Sequence, residues 1–421
     1  MKSFRILYVD ESVLPSYGGT KRVLTNLFTA IDKTRWDAHV LYYRNGPYVR
    51  DAEDLGVVAI AADELALSEM ARAEKHQVAA QLRGIGVRRT IEGDIVRTPG
   101  RRLVYDIRSL MKFFVADRHR SQALHRFVPE HVDLIHFNGS MHRNYEWAHV
   151  AAELGVPFVT HEHGVWRRPP VAFRQVARRA AAVICLTEER VSQVREFCRG
   201  RVQVALVPNG MPMAQMVTKR ARASVRLEFG VGPETPLLVT AGHFQPWKGQ
   251  LLAVEAARLL AARGVNFRWL LCGAHLAGDY VHEIRHRIET CGLESTFILL
   301  EERSDLPDIF GAADLAVHTS IMPEPFGMVV TEAMAMGTPV VGPREGALPT
   351  LVRDGEDGLL YTPRDPVSMA DKIMLLLESP TERTLMGEKA ATRARHEFDV
   401  TLQASKICAL YERALEERSR S

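Results

Sequence analysis

The chain has 421 residues, 46% of them hydrophobic and 25% charged, which excludes a disordered polymer and a mini-protein held by disulfides or metal. At about 150 residues per domain, the length suggests two or three domains. With 54 Lys and Arg against 51 Asp and Glu, the formal charge of +3 argues against a dedicated nucleic-acid binder.

Taken in order, the N-terminus carries Lys2 and Arg5 and an apolar run that stops at Val9, too short for a signal-peptide core. No window reaches the roughly 18 apolar residues of a membrane span. A cytoplasmic protein is expected, at most lying on the inner face of a membrane. FRILYV at 4–9 reads as a buried strand, followed by a loop with Gly18 and Gly19 and by a helix carrying Val23, Leu24, Leu27, Phe28 and Ile31 at helical spacing. Further short strands are predicted at 39–43, 133–137, 157–161, 182–186 and 202–207, alternating with helices.

Between Leu82 and Arg126 this rhythm breaks: 11 Lys or Arg against 4 Asp or Glu are interleaved with Leu103, Ile107, Met111, Phe113 and Phe114. Arg167, Arg168, Arg174, Arg178 and Arg179 follow. A solvated helix face explains such a stretch, as does a surface that meets anionic lipid or an anionic acceptor. After a polar stretch near 214–226, a second strand series begins, at 236–242, 267–273, 297–300, 315–320 and 339–342, with a helix over 249–263. The tail over 399–418 places Ile407, Leu410, Tyr411 and Ala414 at helical spacing. The five cysteines, Cys185, Cys198, Cys272, Cys291 and Cys408, show no C-x-x-C spacing, so neither a disulfide framework nor a zinc site is predicted.

The segment from His318 to Gly342 is the richest in chemistry. A proline-bounded loop presents Glu324, and Gly327 opens a helix that carries Glu332 on its second turn. Unpaired N–H groups at a helix start suit a phosphate ester, and carboxylates, being acceptors only, grip hydroxyls. Together they suggest a phosphorylated polyol, although either glutamate alone reads as an ordinary surface acid.

This segment resembles the Glu-x7-Glu signature of the retaining glycosyltransferases of family 4. The resemblance extends in order through Gly18-Gly19, DLIH ending at His136, PFVTHEHG containing His163, VPNGM at 207–211, AGHFQPWKGQ at 241–250, LLCG ending at Gly273, ERSDLP at 302–307 and DGEDGLL at 354–360. It implies the GT-B fold: two Rossmann-like, doubly wound parallel-sheet domains facing across a cleft. Their expected extents are residues 1–219 for the acceptor and 220–398 for the nucleotide sugar, with a helix over 399–421 returning to the first.

The resemblance also assigns roles. Glu324, a catalytic residue with His163 and Lys248, would contact donor-sugar hydroxyls, and Glu332 would hold the nucleotide ribose. Backbone N–H groups around Phe326, Gly327, Met328 and Val329 would bind sugar and diphosphate, together with Gly18, Gly19, His243 and Gly273. Lys248 would neutralise the departing diphosphate, so that no metal ion or other cofactor is demanded. His163 would meet the donor sugar; its neighbours His161 and Glu162 lie a one-residue slip away, and its spacing from Pro157 and the following Gly164 favour it. The family usually has arginine where this chain has His243, which lacks a guanidinium's bidentate fork; Arg303 or Arg344 are the candidate replacements.

The implied reaction is front-face transfer of a sugar, with retention, from a UDP- or GDP-sugar to a glycan, lipid-linked or other hydroxyl acceptor. The alternatives are a nucleotide-sugar-binding protein with decayed catalysis and an epimerase or phosphorylase of the same architecture. The total charge divides unevenly: residues 1–219 carry +9 and residues 220–421 carry −6. The basic half is the one that the resemblance assigns to the acceptor, which points to an anionic partner.

Overall fold

The structure, a computed structural model, describes residues 3–10, 19–62, 99–111, 113–114, 121–122, 124–139, 145–164, 171–274 and 278–420. Two compact units make up the chain, one formed by Met1–Gly210 with Gln403–Ser421 and the other by Met211–Leu402.

The first unit is built on a seven-stranded parallel sheet of β1 (Phe4–Asp10), β2 (Trp36–Tyr42), β3 (Val58–Ala61), β4 (Leu134–Asn138), β5 (Phe158–Glu162), β6 (Ala182–Cys185) and β7 (Val204–Leu206), in the order 3-2-1-4-5-6-7. Side chains alternate between its faces, and both faces are covered. Leu7 and Val9 enter one core with Trp147 and Phe173, whereas Ile6 and Tyr8 enter the other with Phe28 and Trp36. That second core is completed by Ala404, Ile407, Leu410, Tyr411 and Ala414 of the C-terminal helix Val400–Arg420.

The second unit holds a six-stranded parallel sheet of β8 (Leu237–Ala241), β9 (Arg268–Cys272), β10 (Phe297–Leu300), β11 (Leu315–Val317), β12 (Val340–Pro343) and β13 (Gly358–Tyr361), in the order 10-9-8-11-12-13. Helices Gln250–Ala262, Asp279–Thr290 and Pro366–Glu378 cover one face around Trp269 and Tyr361. Because chain order reverses between β1 and β4 in one sheet and between β8 and β11 in the other, each sheet has a switch point. Ligands of open α/β sheets bind outside the strand ends at such points.

The units divide at 210/211 and 402/403 rather than at 219/220 and 398/399. Met211 shows why: its N–H donates to the Phe398 carbonyl at 2.8 Å, and its own carbonyl accepts from Val400 N–H at 2.9 Å. Lys219 and Arg220 are also tied in, both backbone N–H groups donating to Asp308 Oδ1 at 2.6 and 3.0 Å. The junction is therefore structured as part of the second unit.

Two strands, β3 and β13, were not legible as strands in the sequence. The four residues of β3 are half-exposed, and β13 begins at Gly358, whose Cβ position lies 2.6 Å from the Val340 carbonyl oxygen. Among the described residues no helix is long and apolar enough to cross a membrane.

Candidate functional site

In the second unit the predicted residues converge beyond the switch point of β8 and β11. The loop after β8 runs through Gly242 and His243 to a 3-10 turn, Pro246–Lys248, and Gly249 (φ 70°) then opens the helix Gln250–Ala262. A Cβ at Gly249 would stand 2.1 Å from the Thr319 carbonyl oxygen, so only glycine lets the two loops approach this closely. The loops are also laced together: Ile321 N–H donates to Trp247 O at 2.9 Å, and Thr319 Oγ1 donates to Lys248 O at 2.7 Å. Gly273 plays a similar part after β9, where a Cβ would meet the Gly242 carbonyl at 2.0 Å.

This lacing delivers Lys248 Nζ to Glu324 Oε2 at 2.8 Å, with both side chains largely buried. The same carboxylate oxygen accepts from Ser320 Oγ at 3.2 Å and lies 3.4 Å from His318 Nε2. Burial alone would raise the Glu324 carboxyl, but the His318 hydrogen bond and the Lys248 charge outweigh it and hold the group down at about 2. Glu324 is thus ionised at any physiological pH. Lys248 also lies 4.2 Å from the centroid of the Trp247 ring.

Gly327 (φ 92°) precedes the helix Met328–Ala335, and Val330 N–H is taken by the Gly327 carbonyl at 2.9 Å. Met328 and Val329 occupy the first two helical positions, where N–H groups have no partner within the helix. Phe326 is buried edge-on against Phe398, and Glu332 is buried on the second turn. His243 contributes its carbonyl, which accepts from Gln250 Nε2 at 3.0 Å. The two arginines considered as substitutes are held elsewhere by carboxylates. Arg303 pairs with Asp305 at 2.7 Å and Glu228 at 3.0 Å, and Arg344 pairs with Asp354.

In the first unit the candidate residues gather at the ends of β1, β4 and β5. His163 follows β5 directly and is partly exposed, whereas His161 and Glu162 are buried within the strand. His163 Nε2 lies 2.9 Å from Asn138 Oδ1, and its ring tilts against that of His161 at a centroid distance of 4.2 Å. Burial pushes His163 and His136 down to about 3 and His161 well below the ordinary imidazole range, so all three rings are neutral at pH 7. Asp10 and Lys21, both buried, stand close by. Burial lowers the Lys21 ammonium to about 8 against the opposing pull of Asp10, and Lys21 Nζ lies 3.8 Å from the centroid of the Tyr48 ring. Gly19 begins the helix Gly19–Ala30 with open space at its Cβ position, and Gly18 lies outside the described residues.

Sequence reasoning missed His318 and Ser320 beside Glu324, Asn138 beside His163, and Asp10 and Lys21 behind Asn138. A signal existed for most of them: Asp10 ends β1, Asn138 ends β4 and His318 follows β11, which are the strands flanking the two switch points.

Comparison with known proteins matches residues 17–215 to the model of Glycosyltransferase Family 4 and residues 225–393 to that of Glycosyl transferases group 1. The chain is 34% identical over 201 residues to the D-inositol 3-phosphate glycosyltransferase of Corynebacterium glutamicum, a match covering 47% of this chain and 48% of that protein. It is 28% identical over 323 residues to D-inositol 3-phosphate glycosyltransferase 2 of Catenulispora acidiphila, covering 71% and 74%. With the Corynebacterium efficiens relative covered over 55%, the chain spans about half the length of the first of these relatives. Among solved structures, HepE of Anabaena in complex with UDP and glucose superimposes with a TM-score of 0.71 at 22% identity, covering 96% of this chain and 98% of that one. A glycosyltransferase from Rickettsia africae does so at 0.75 and 16% identity, covering 99% and 100%. Two family models in tandem, on two parallel-sheet units of the kind these structures share, establish that the chain belongs to glycosyltransferase family 4 and has the GT-B fold.

Proposed function

We propose that the protein transfers a sugar, with retention of configuration, from a nucleoside-diphosphate sugar to an acceptor hydroxyl. The observation that carries this reading is the Lys248–Glu324 pair, buried at the switch point of the second sheet and held by a glycine contact that tolerates no side chain. Lys248 is the fixed cation that stabilises the diphosphate as the glycosidic bond breaks, and Glu324 accepts hydrogen bonds from sugar hydroxyls. The N–H groups of Met328 and Val329 bind phosphate oxygens, and buried Glu332 takes the ribose. The acceptor hydroxyl attacks from the face of the leaving group and gives its proton to the departing phosphate, with His163 lining the reaction centre. The protein's contribution is positioning and electrostatics, and Lys248 supplies the charge for which other transferases recruit a metal.

HepE binds UDP and glucose, and the curated relatives act on D-inositol 3-phosphate. These precedents favour a UDP-sugar donor over a GDP-sugar and an anionic acceptor, either a phosphorylated polyol or a lipid-linked glycan. Release of nucleoside diphosphate from UDP-glucose or GDP-mannose, with and without inositol phosphate, tests the reading. Release that depends on acceptor and survives EDTA is expected. Binding without turnover would point to a decayed enzyme, and interconversion of the sugar without acceptor to an epimerase.

Peripheral docking on an anionic membrane belongs to the same reading. Leu103, Ile107 and Met111 recur every four residues along the helix Pro99–Met111 and are about half-exposed or more, as is Phe114. The surrounding stretch from Leu82 to Arg126 has a net charge of +7. Co-sedimentation with phosphatidylglycerol vesicles, weakening as salt is raised, is the expected result. Equal sedimentation with neutral vesicles would remove the docking claim.

A further inference from the structure

His163 sits at the end of a hydrogen-bonded chain whose directions can be worked out from one atom. Asn138 Nδ2 donates to the Thr20 carbonyl oxygen at 2.9 Å and to Asp10 Oδ2 at 2.9 Å. A backbone carbonyl carries no proton in any state, so the amide group of Asn138 cannot be turned over without setting two acceptors against each other. Its Oδ1 therefore faces His163, and Oδ1 accepts only. The hydrogen bond of 2.9 Å between Oδ1 and His163 Nε2 accordingly has the imidazole as donor.

We propose that Asn138, anchored by Thr20 and Asp10, is a positioning residue that fixes His163 as the Nε2–H tautomer. Its Nδ1 then offers a lone pair that accepts a hydrogen bond from a sugar or polyol hydroxyl. The anchoring is stiff because its parts sit on regular elements: Asp10 closes β1, Asn138 closes β4 in register with His161 of β5, and Thr20 lies in the helix Gly19–Ala30. Asp10 and Asn138 are both fully buried, which keeps water from competing for these bonds. Desolvation by its surroundings also lowers the ring's pKa below the ordinary imidazole value, which disfavours a second proton on Nδ1. A histidine in this state is an acceptor of hydroxyl protons in hydrogen bonds and cannot serve as a cation toward phosphate. The ligand class assigned to Nδ1 rests on the glycosyltransferase reading; the tautomer does not.

The two parts are therefore tested separately. In the full chain labelled with 15N-histidine, the His163 signals are identified by their absence from His163→Gln. The wild-type ring is expected to show a protonated Nε2 and a bare Nδ1 at pH 7.5. A protonated Nδ1 would overturn the proposal, and this measurement needs no variant to fold. In Asn138→Ala the ring is expected to become a mixture of tautomers, and an unchanged tautomer would equally overturn the assignment to Asn138. For function, Asn138→Ala is expected to lower kcat/KM about tenfold, and His163→Ala about a hundredfold. The double variant should be no worse than His163→Ala alone, because Asn138 acts through the imidazole. Losses that multiply in the double variant would show that Asn138 merely supports the fold and would sink the positioning role. Should no substrate turn over at all, the functional reading fails while the tautomer result stands on its own.

Discussion

The two units are built alike, each a parallel sheet with one reversal of strand order, yet they arm their switch points in opposite ways. The second unit, in the half with an excess of acidic residues, presents an ionised pair: Lys248 against Glu324, with His318 and Ser320 on the same carboxylate oxygen. The first, in the basic half, presents three neutral imidazoles and an amide, and Lys21, on the far side of Asp10, is buried over an aromatic ring. The net charge of a region therefore says little about the electrostatics of its site. On the proposed function, the cation that a leaving diphosphate needs is Lys248 of the acidic half, and the neutral acceptors that hydroxyl groups need are those of the basic half.

That contrast can be broken or sharpened by experiment. The largest effect expected is on turnover: Lys248→Ala should lower kcat by about a thousandfold, some 4 kcal/mol of lost transition-state stabilisation, in a protein that still folds but with a lower unfolding midpoint because buried Glu324 loses its partner charge. Retention of more than a tenth of the wild-type kcat would remove the cation from the mechanism and with it half of the contrast.

Acid should separate the units next. The neutral histidines have folded-state pKa values below the unfolded value of about 6.5, so between those limits the unfolded chain binds more protons and stability falls as the pH falls. Their contribution is complete above pH 6.5 and shrinks by about 1.4 kcal/mol per pH unit for each ring as the pH drops toward 3. Glu324 is also depressed, but its contribution is complete above about 4.5 and is lost only as pH falls toward 2. Calorimetry at stepped pH should therefore show the first unit's transition moving down between pH 6.5 and 4.5 while the second holds. Parallel movement of both would contradict the neutral-histidine description.

A smaller effect, confined to the second unit, is expected from Gly249→Ala. The methyl group meets the Thr319 carbonyl and the backbone must leave φ 70°, at a cost of about 2–3 kcal/mol, read as a lower midpoint for that unit alone. Smallest is Tyr411→Phe in the first unit. It removes the 2.6 Å bond with His136 Nδ1 and the bond that Tyr411 donates to Tyr8, for about 1 kcal/mol and no change in turnover.

The fold could be read from the sequence wherever strands are buried on both faces. FRILYV and AVICL are near-continuous apolar runs, and both are strands. VAIA at β3 failed because a half-exposed edge of four residues carries no run to recognise, and GLLY at β13 because its glycine hides the pattern. At the site, Lys248 and Glu324 stand out in the sequence because each lies in a family motif, AGHFQPWKGQ and the Glu-x7-Glu segment, and the fold sets them 2.8 Å apart. Asn138 and Asp10 were not, since a lone polar residue after an apolar run is as common in ordinary turns. What marks them is strand order, which brings β1 beside β4 across 128 residues of chain and is decided by tertiary packing.

The helix that begins at Val400 has a consequence for biosynthesis. Residues from Ala404 to Ala414 form part of the core around Tyr8, Trp36 and Val40, and Tyr411 bonds His136 within it. Domains tend to fold as they emerge from the ribosome, the N-terminal one first. Here the unit that is translated first cannot close its core until more than 400 residues have been made, whereas all of Met211–Leu402 has by then left the ribosome. The nascent first unit thus waits with an apolar face uncovered. A truncation just before Ala404 is expected to leave the second unit attached to an aggregation-prone first unit, because the helix from Val400 closes a core that begins at β1.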